Sequence, residues 1–547
     1  MIRAFFSELK SEFSGYGAKA LSKDLMAGIT VAAVALPLAL AFGVSSGADA
    51  AAGLITAILA GLVIGSLSGG FYQISGPTGA MAAILISIIA KYQIQGVFLA
   101  TLMAGVFLLL AGILRLGKMT AYIPAPVITG FTSGISVLIA AGQLDNLFGV
   151  TSAGETVIDR IGSYFSLGFH PNFYALGIGL FVVLFMVAYP KKWNAVIPGS
   201  LVAIILATVA AQILGLEVKI VGEIPKTLLP ADRLDLSRVS MNTLLHLLSP
   251  AFSIAMLGMI ESLLCGSSAS RMTGKKFNSD QELVAQGIGN IILPFFGGIP
   301  ATAAIARTSV AIKSGAVTRL TGIFHALVLV VSMFLLSPVM SAIPLSALAG
   351  VLLVTAFRMN EWEAIRYMFS HKFKGAMLKY LVTMAATVVF DLTTAIALGV
   401  LVALLLLVRR LSKLEINIES VDASRVSAPN AEIERRFGGA RVVYIAGAMI
   451  FANTQAVEAI AADVPDECDT VLFSMRGVSY IDVSCAQAFE GVVQKLLSRD
   501  VRIGVCGLSS ETRKTLDRSG ITELIGEENI HWSIDRVLTQ ECACEPA

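Results

Sequence analysis

Ile74-Ser75-Gly76-Pro77-Thr78-Gly79-Ala80 and Gly297-Gly298-Ile299-Pro300-Ala301-Thr302-Ala303-Ala304 are two Pro/Gly-broken openings, each set in a long stretch without charge. No Asp, Glu, Lys or Arg occurs between Asp49 and Lys91, between Glu282 and Arg307, or between Arg319 and Arg358. About 20 apolar residues cross the hydrocarbon core as a helix, so each run is long enough to span once or twice. The segments opened by Pro77 and Pro300 are too short to span as ordinary helices, so both read as helices broken inside the membrane. A break leaves backbone N–H groups that lipid cannot satisfy, and it is tolerated only where it lines a cavity or holds a ligand. Two half-helix N-termini meeting near the midplane would aim free donors and positive dipole ends at one spot, which is an anion site. One break alone would read as a packing kink; the matched pair favours the site.

The rest of the chain has the composition this reading needs. Of 547 residues, 56% are hydrophobic and 14% charged, with mean hydropathy +0.78, whereas soluble domains run near a quarter charged. The net charge of +2 points to no particular partner, and no long basic run suggests nucleic acid. Apolar runs bounded by charge, Pro and Gly give about fourteen membrane segments. They begin near residues 24, 51, 77, 94, 124, 172, 194, 247, 283, 301, 317, 342, 376 and 393. Pro77 and Pro300 each lie about 53 residues after the start of the first and the eighth segment, the pairing of a seven-plus-seven inverted repeat.

Charge in the loops sets the orientation. Arg115 and Lys118, Lys191 and Lys192, Arg271 with Lys275 and Lys276, Lys313 with Arg319, Arg358 through Lys379, and Arg409, Arg410 and Lys413 all fall on one side. The opposite loops are short or mixed, as in Glu217 to Arg238. The positive-inside rule then places both ends of the chain in the cytoplasm, and a bacterial-type cell membrane is the expected location. Met1 to Ala20 lacks an apolar core and a cleavage site, so no cleavable leader is expected. The expected organisation is a cytoplasmic segment at 1–23, a transmembrane domain at 24–413 with repeats at about 24–216 and 247–411, and a soluble part at 414–547.

Among ionisable groups, Glu261 stands out because it lies inside the apolar run from Met256 to Leu264. A carboxylate there is expensive unless paired, hydrated or protonated. It suits a group that takes up and releases a proton, or one that ligates Na⁺ together with Ser262. The plainer alternative is a structural ion pair with Arg307. Arg307 itself reads two ways: it supplies positive potential to an anion, or it snorkels to the cytoplasmic interface near Lys313. Asp145 with Asn146, and Asp391 with Thr393 and Thr394, sit at span ends, where solvated or capping roles are expected. His325 reads as a satisfied packing residue ahead of a proton relay. Six scattered cysteines, Cys265, Cys468, Cys485, Cys506, Cys542 and Cys544, read as free thiols in a reducing cytosol. No Ser/His/Asp set, metal cluster or Walker loop occurs, so neither enzyme activity, cofactor nor bound metal is expected.

From about Glu415 the sequence turns charged and mixed. Val442 to Ile445 with Ala448 to Phe451, Thr470 to Phe473, and Val501 to Val505 read as strands, and 453–463, 484–499 and 510–519 as helices. Alternating strands and helices imply a small α/β layer domain.

The first span carries Ala35-Leu36-Pro37-Leu38-Ala39-Leu40-Ala41-Phe42-Gly43, and Ser75-Gly76-Pro77-Thr78 opens the third. Met259-Ile260-Glu261-Ser262-Leu263-Leu264, Glu282-Leu283-Val284-Ala285-Gln286-Gly287 and Phe295-Phe296-Gly297-Gly298-Ile299-Pro300-Ala301-Thr302 follow, running into Ala306-Arg307-Thr308. In this order they resemble the SulP anion transporters, whose animal relatives include prestin and the sulfate and chloride exchangers. The resemblance implies an all-α seven-plus-seven inverted repeat with core and gate domains, an elevator-like motion, and a small-anion site between the third and tenth helices. Carried over by position, the lining would be Ala39 and Phe42, Ser75, Gly76, Pro77, Thr78, Gly79 and Ala80, Glu261, and Thr302, Ala303, Ala304 and Arg307. H⁺ or Na⁺ would be the coupling ion, at Glu261 and Ser262. Many members carry Gln where this chain has Leu38 and Asn where it has Ala311, so sulfate specificity does not follow. The eighth-span pattern is more similar to bacterial branches that carry dicarboxylates or bicarbonate. In the soluble part, Met475-Arg476-Gly477-Val478, Ile481-Asp482-Val483-Ser484 and Cys506-Gly507-Leu508 resemble a STAS domain. Such a domain would regulate or traffic the carrier, or hold a homodimer. Ser484 occupies the place of a phosphorylatable residue, but Val483 and Cys485 alter its surroundings, so it reads as a helix cap rather than a switch.

Overall fold

A computed structural model describes residues 2–118, 123–154, 157–190, 193, 197–238, 240–390, 392–422, 434–435 and 437–542. Lys191, Lys192, Asp391 and Cys544 lie outside the described residues. The chain forms two compact units, Met1–Val400 and Leu401–Ala547.

The first unit is helical. A short α1 (Ile2–Glu12) precedes α2 (Ala18–Ser45), α3 (Ala50–Leu67) and α4 (Gly79–Ile113). Then come α5 (Ala125–Gly142), α6 (Phe173–Ala188), α7 (Gly199–Ile213) and α8 (Met241–Thr273). The series closes with α9 (Ser279–Ile292), α10 (Ile305–Lys313), α11 (Leu320–Leu335), α12 (Leu345–Met359), α13 (Lys374–Val389) and α14 (Leu392–Leu411). Each expected segment has a helix near it, and the boundary between the third and fourth is a break at Gln93 (φ 56°, ψ −170°) inside α4. Among the described residues, six helices are long and apolar enough to cross a membrane, and α6, α7, α11 and α12 are shorter apolar helices.

These helices pack as two groups that draw on both halves of the sequence. One joins α2, α3 and α4 with α8, α9, α10 and α11; the other joins α5, α6 and α7 with α12 and α13. In the first group small residues let backbones approach closely. A Cβ at Gly287 of α9 would lie 2.5 Å from the amide nitrogen of Leu109 on α4, so nothing larger fits there.

The N-terminal segment is tied to the first group by buried charge. Glu12 Oε2 meets Arg319 Nε at 2.7 Å, and Glu12 Oε1 accepts the Arg319 backbone N–H at 2.6 Å. Arg319 Nη1 also donates to the Ser66 carbonyl at 2.7 Å, and the Phe5 ring lies 5.2 Å from its Cζ. Burial pushes the Glu12 carboxyl above the usual range, against the pull of Arg319. Asp24 accepts from the backbone N–H groups of Val317 and Thr318 and from the hydroxyls of Tyr16, Thr318 and Thr321. Removing one member of a buried pair strands the other, at about 3–5 kcal/mol. Glu12→Ala should therefore lower the thermal unfolding temperature in detergent markedly, and Glu12→Gln less, because an amide still accepts from Arg319.

The second unit is a five-stranded sheet in the order β3 (Glu415–Ser420), β4 (Arg441–Met449), β5 (Thr470–Ile481), β6 (Arg502–Cys506) and β7 (Ile530–His531), numbered after the short β1 and β2 described below. β3 pairs antiparallel with β4, and the other pairs are parallel. α15 (Thr454–Asp463), α16 (Val483–Leu497) and α17 (Ser510–Arg518) start and end within two residues of the expected helices. The expected second half of the first strand is corrected: the strand is continuous to Met449, and Phe451 opens a tight turn. The cap at α16 is corrected too. Asp482 is the N-cap, its Oδ1 accepting from the Cys485 N–H at 2.9 Å, and Ser484 sits exposed one residue inside the helix. Asp accepts as well as Ser at this position and adds charge favoured by the helix dipole. Cys468, Cys485 and Cys506 are free and buried, and burial pushes the Cys485 and Cys506 thiols up to about 11 and 12, so both stay protonated and unreactive.

Candidate anion-binding site

The two Pro/Gly openings meet. β1 (Ser75–Gly76) and β2 (Thr302–Ala303) form an antiparallel bridge, Ser75 opposite Ala303 and Gly76 opposite Thr302. The Ala304 N–H donates to the Ile74 carbonyl, and the Ile74 N–H to Thr308 Oγ1. The bridge satisfies the backbone that the breaks expose and sends α4 and α10 away from one place, N-termini together.

Both N-termini keep free donors. Thr78 caps α4 by accepting from the Met81 N–H, while α10 has no side-chain cap. Among the described residues no acceptor meets the N–H groups of Gly79 and Ala80 on α4, or of Ile305, Ala306 and Arg307 on α10. Phe42 of α2 is buried beside this point, a Cβ at Gly79 lying 3.0 Å from its ring, whereas Ala39 is buried against Gly53 of α3.

Arg307 is buried, 1% exposed, so the snorkelling alternative is corrected. The reason is local: the bridge turns the first turn of α10 inward and carries the side chain with it. Its Nη2 donates to the Pro77 carbonyl, its guanidinium lies against Gly76, and its Nη1 has no partner. Glu261 does not pair with it. Among the described residues no ion pair joins the two, and Glu261 Oε2 instead accepts from Thr78 Oγ1 at 2.9 Å. Ser262 Oγ bonds Thr302 Oγ1 at 2.9 Å and accepts the Ala303 N–H at 3.2 Å. Thus α8 contributes a carboxylate and a hydroxyl, each hydrogen-bonded to one of the two openings.

Behind the bridge lies a buried polar layer that the sequence reading missed. Gln286 Nε2 donates to Ser75 Oγ at 2.9 Å and to Glu282 Oε1 at 2.8 Å. Glu282 Oε2 accepts from Ser68 Oγ at 2.6 Å and from the Gly69 N–H at 3.0 Å. Asn290 holds Ala301 by both backbone groups, and Gln73 Nε2 donates to the Ser262 carbonyl at 2.7 Å. Glu282, Gln286 and Asn290 recur every fourth residue, one polar line down the buried face of the helix, and that spacing was the available signal. Ser75 belongs to this supporting layer. His325 is fully buried, as expected of a packing residue, and among the described residues neither ring nitrogen makes a well-formed hydrogen bond.

A Cβ on Gly76 would lie 2.4 Å from Arg307 Nη1, so the guanidinium must move in a close-packed surrounding. Gly76→Ala should weaken anion binding about tenfold, the loss of about 1.4 kcal/mol expected when a charge-assisted hydrogen bond is displaced. Isothermal titration with the transported anion checks it.

Residues 21–386 match the model of the sulfate permease family, and residues 429–536 match the STAS domain model. The protein of Bacillus subtilis named "Putative sulfate transporter YvdB" is 33% identical over 94% of this chain and 97% of its own length. The bicarbonate transporter BicA of Picosynechococcus is 32% identical over 90% of each chain. The structure of murine Slc26a9, an anion transporter in its inward-facing state, superposes with a TM-score of 0.85 at 18% identity, covering 97% of this chain and 93% of that one. That last likeness extends the shared fold through both units.

Proposed function

Because the chain belongs to the sulfate permease family, we propose that it is a secondary active transporter of small anions, driven by H⁺ or Na⁺ through Glu261. The observation that carries this reading is Arg307, buried between two half-helix N-termini with one guanidinium nitrogen unpartnered and free backbone donors around it. Such a cluster carries a desolvation cost that an anion accepting from it would relieve. The carriage is of elevator type, in fourteen crossings of two inverted repeats. The group holding the site, α2–α4 with α8–α11, moves as a core against α5–α7 with α12 and α13, and both termini face the cytoplasm. The STAS domain regulates this carrier or holds its dimer.

The cargo is a dicarboxylate, bicarbonate or sulfate. Relatives named for sulfate and for bicarbonate keep both open, and the apolar Leu38 gives sulfate no extra handle. An uncoupled exchanger or channel is the second reading; the Glu261 carboxylate, bonded to Thr78 and not to Arg307, favours coupling over it. The test uses purified protein in liposomes, offered labelled succinate, bicarbonate and sulfate with H⁺ and Na⁺ gradients imposed separately. Uptake of one anion against its gradient, driven by one cation, is the expected result. Flux indifferent to both cations would leave only the exchanger, and no flux of any anion would overturn the transport reading.

A further inference from the structure

A second group of unpartnered donors lies on other elements. A cavity of about 20 Å³ is lined by Asn146, Asn172, Lys219, Leu345 and Ser346, among others. It sits where the chain leaves α5, enters α6 and enters α12, beside the bridge between Ile220 and Pro344. The N-cap of α12, Pro344, has no side-chain acceptor to offer. The Leu345 N–H is taken by the Lys219 carbonyl, and the N–H groups of Ala347 and Leu348 by the Pro344 carbonyl. The Ser346 N–H between them has no acceptor among the described residues. Its hydroxyl also has no partner, although Ser346 is 2% exposed. Among the described residues the Lys219 ammonium and the Asn146 amide have no hydrogen-bond or ion partner either.

Two of the acceptors nearby are already used. Asn172 Oδ1 caps α6 by accepting from the N–H groups of Tyr174 and Ala175, and Asn172 Nδ2 donates to the Glu217 carbonyl. Asp145 accepts from the hydroxyls of Ser152 and Tyr164. The cavity therefore gathers two buried donors of Ser346 at the positive end of a helix, with the exposed Lys219 in its wall and the Asn146 amide, which can donate or accept. A buried donor left unmade costs about 1–3 kcal/mol, so the Ser346 N–H and hydroxyl call for an acceptor from outside the chain. The enclosed space holds about one water-sized sphere, which favours a monatomic anion over sulfate or a dicarboxylate. A monatomic anion fits and, unlike water, gains from the lysine and the helix dipole.

We propose that this cavity binds one halide-sized anion, distinct from the transported anion, and that the bound ion fastens the start of α12 to the ends of α5 and α6. Full-length protein in detergent is unfolded thermally in sodium bromide and in sodium gluconate at equal ionic strength, and bromide is located by anomalous scattering in crystals grown with it. Bromide should raise the unfolding temperature and appear beside Ser346. Lys219→Ala, a change at an exposed residue, should move the half-effect to about tenfold higher bromide, a loss of about 1.4 kcal/mol. Ser346→Asp, which tethers a carboxylate on the first turn of α12, should abolish the response, whereas Arg307→Gln should leave it intact. No bromide peak at Ser346 (a water only), a response unchanged in Lys219→Ala, or one lost in Arg307→Gln would each overturn the proposal.

Discussion

Arg307→Gln abolishes anion uptake in liposomes while the protein still folds and inserts: this is the largest effect expected at the site. The guanidinium is buried, makes one bond to the Pro77 carbonyl, and leaves Nη1 without a partner beside Gly76. Truncating a buried charge that binds a charged partner costs about 2–5 kcal/mol, or a factor of about 30 to several thousand in affinity. Without an anion, Arg307 is a desolvated cation with no ion pair, so its removal should not destabilise the empty protein and stands to stabilise it. That pairing of outcomes separates a ligand-binding arginine from a structural one, which would lose stability when removed. Arg307→Lys keeps the charge but loses the planar fork, so binding should fall between wild type and the Gln variant. Thermal unfolding with and without the transported anion provides both readings.

How much of this site is legible in the chain depends on what local chemistry encodes. Pro77 and Pro300 sit in charge-free runs long enough to be membrane-embedded, and those runs alone locate the two half-helices. Side-chain direction is not encoded in this way. Arg307 lies three residues into α10, and whether it faces lipid, the interface or the core depends on how the β1–β2 bridge rotates that helix. The bridge is a tertiary contact between residues more than two hundred apart, beyond any window of hydropathy. The same limit hides the ion-pair question at Glu261. Charge complementarity suggests Arg307, but the capping Thr78 stands nearer and takes the carboxylate.

Two misses in the soluble unit have local causes. β3, Glu415–Ser420, alternates polar and apolar residues directly after a helix whose last turn carries Arg409 and Arg410, and it is not among the expected strands. It is a strand because its outer edge is solvated and its Ile416 and Ile418 pack on the sheet core. At α16 both Asp482 and Ser484 are good caps, and two residues of frame decide between them. The N-cap must sit three residues before the amide it accepts from, and Cys485 N–H fixes that as Asp482.

Glu261→Gln should leave downhill anion exchange working and eliminate uphill accumulation. The carboxamide has nearly the shape of a protonated carboxyl, and its oxygen still accepts from Thr78 Oγ1, so the opening at α4 keeps its cap and its position. What is lost is the ability to change charge or to ligate a cation. With one pH unit imposed, about 1.4 kcal/mol is available per proton, enough for about tenfold accumulation in the wild type and none in the variant. Coupling to Na⁺ gives the same loss under a sodium gradient, since a carboxylate flanked by the hydroxyls of Ser262 and Thr302 is an oxygen-rich site of the kind hard cations need. Ser262→Ala then discriminates the two ions: it removes a Na⁺ ligand and should raise the sodium requirement, while proton-driven uptake would change little. Normal uphill uptake by Glu261→Gln would remove coupling from Glu261 altogether and leave the carboxylate as a structural partner of Thr78. Retained exchange with lost accumulation has the opposite meaning: the anion is held by Arg307 and the helix N-termini, and the driving cation by α8.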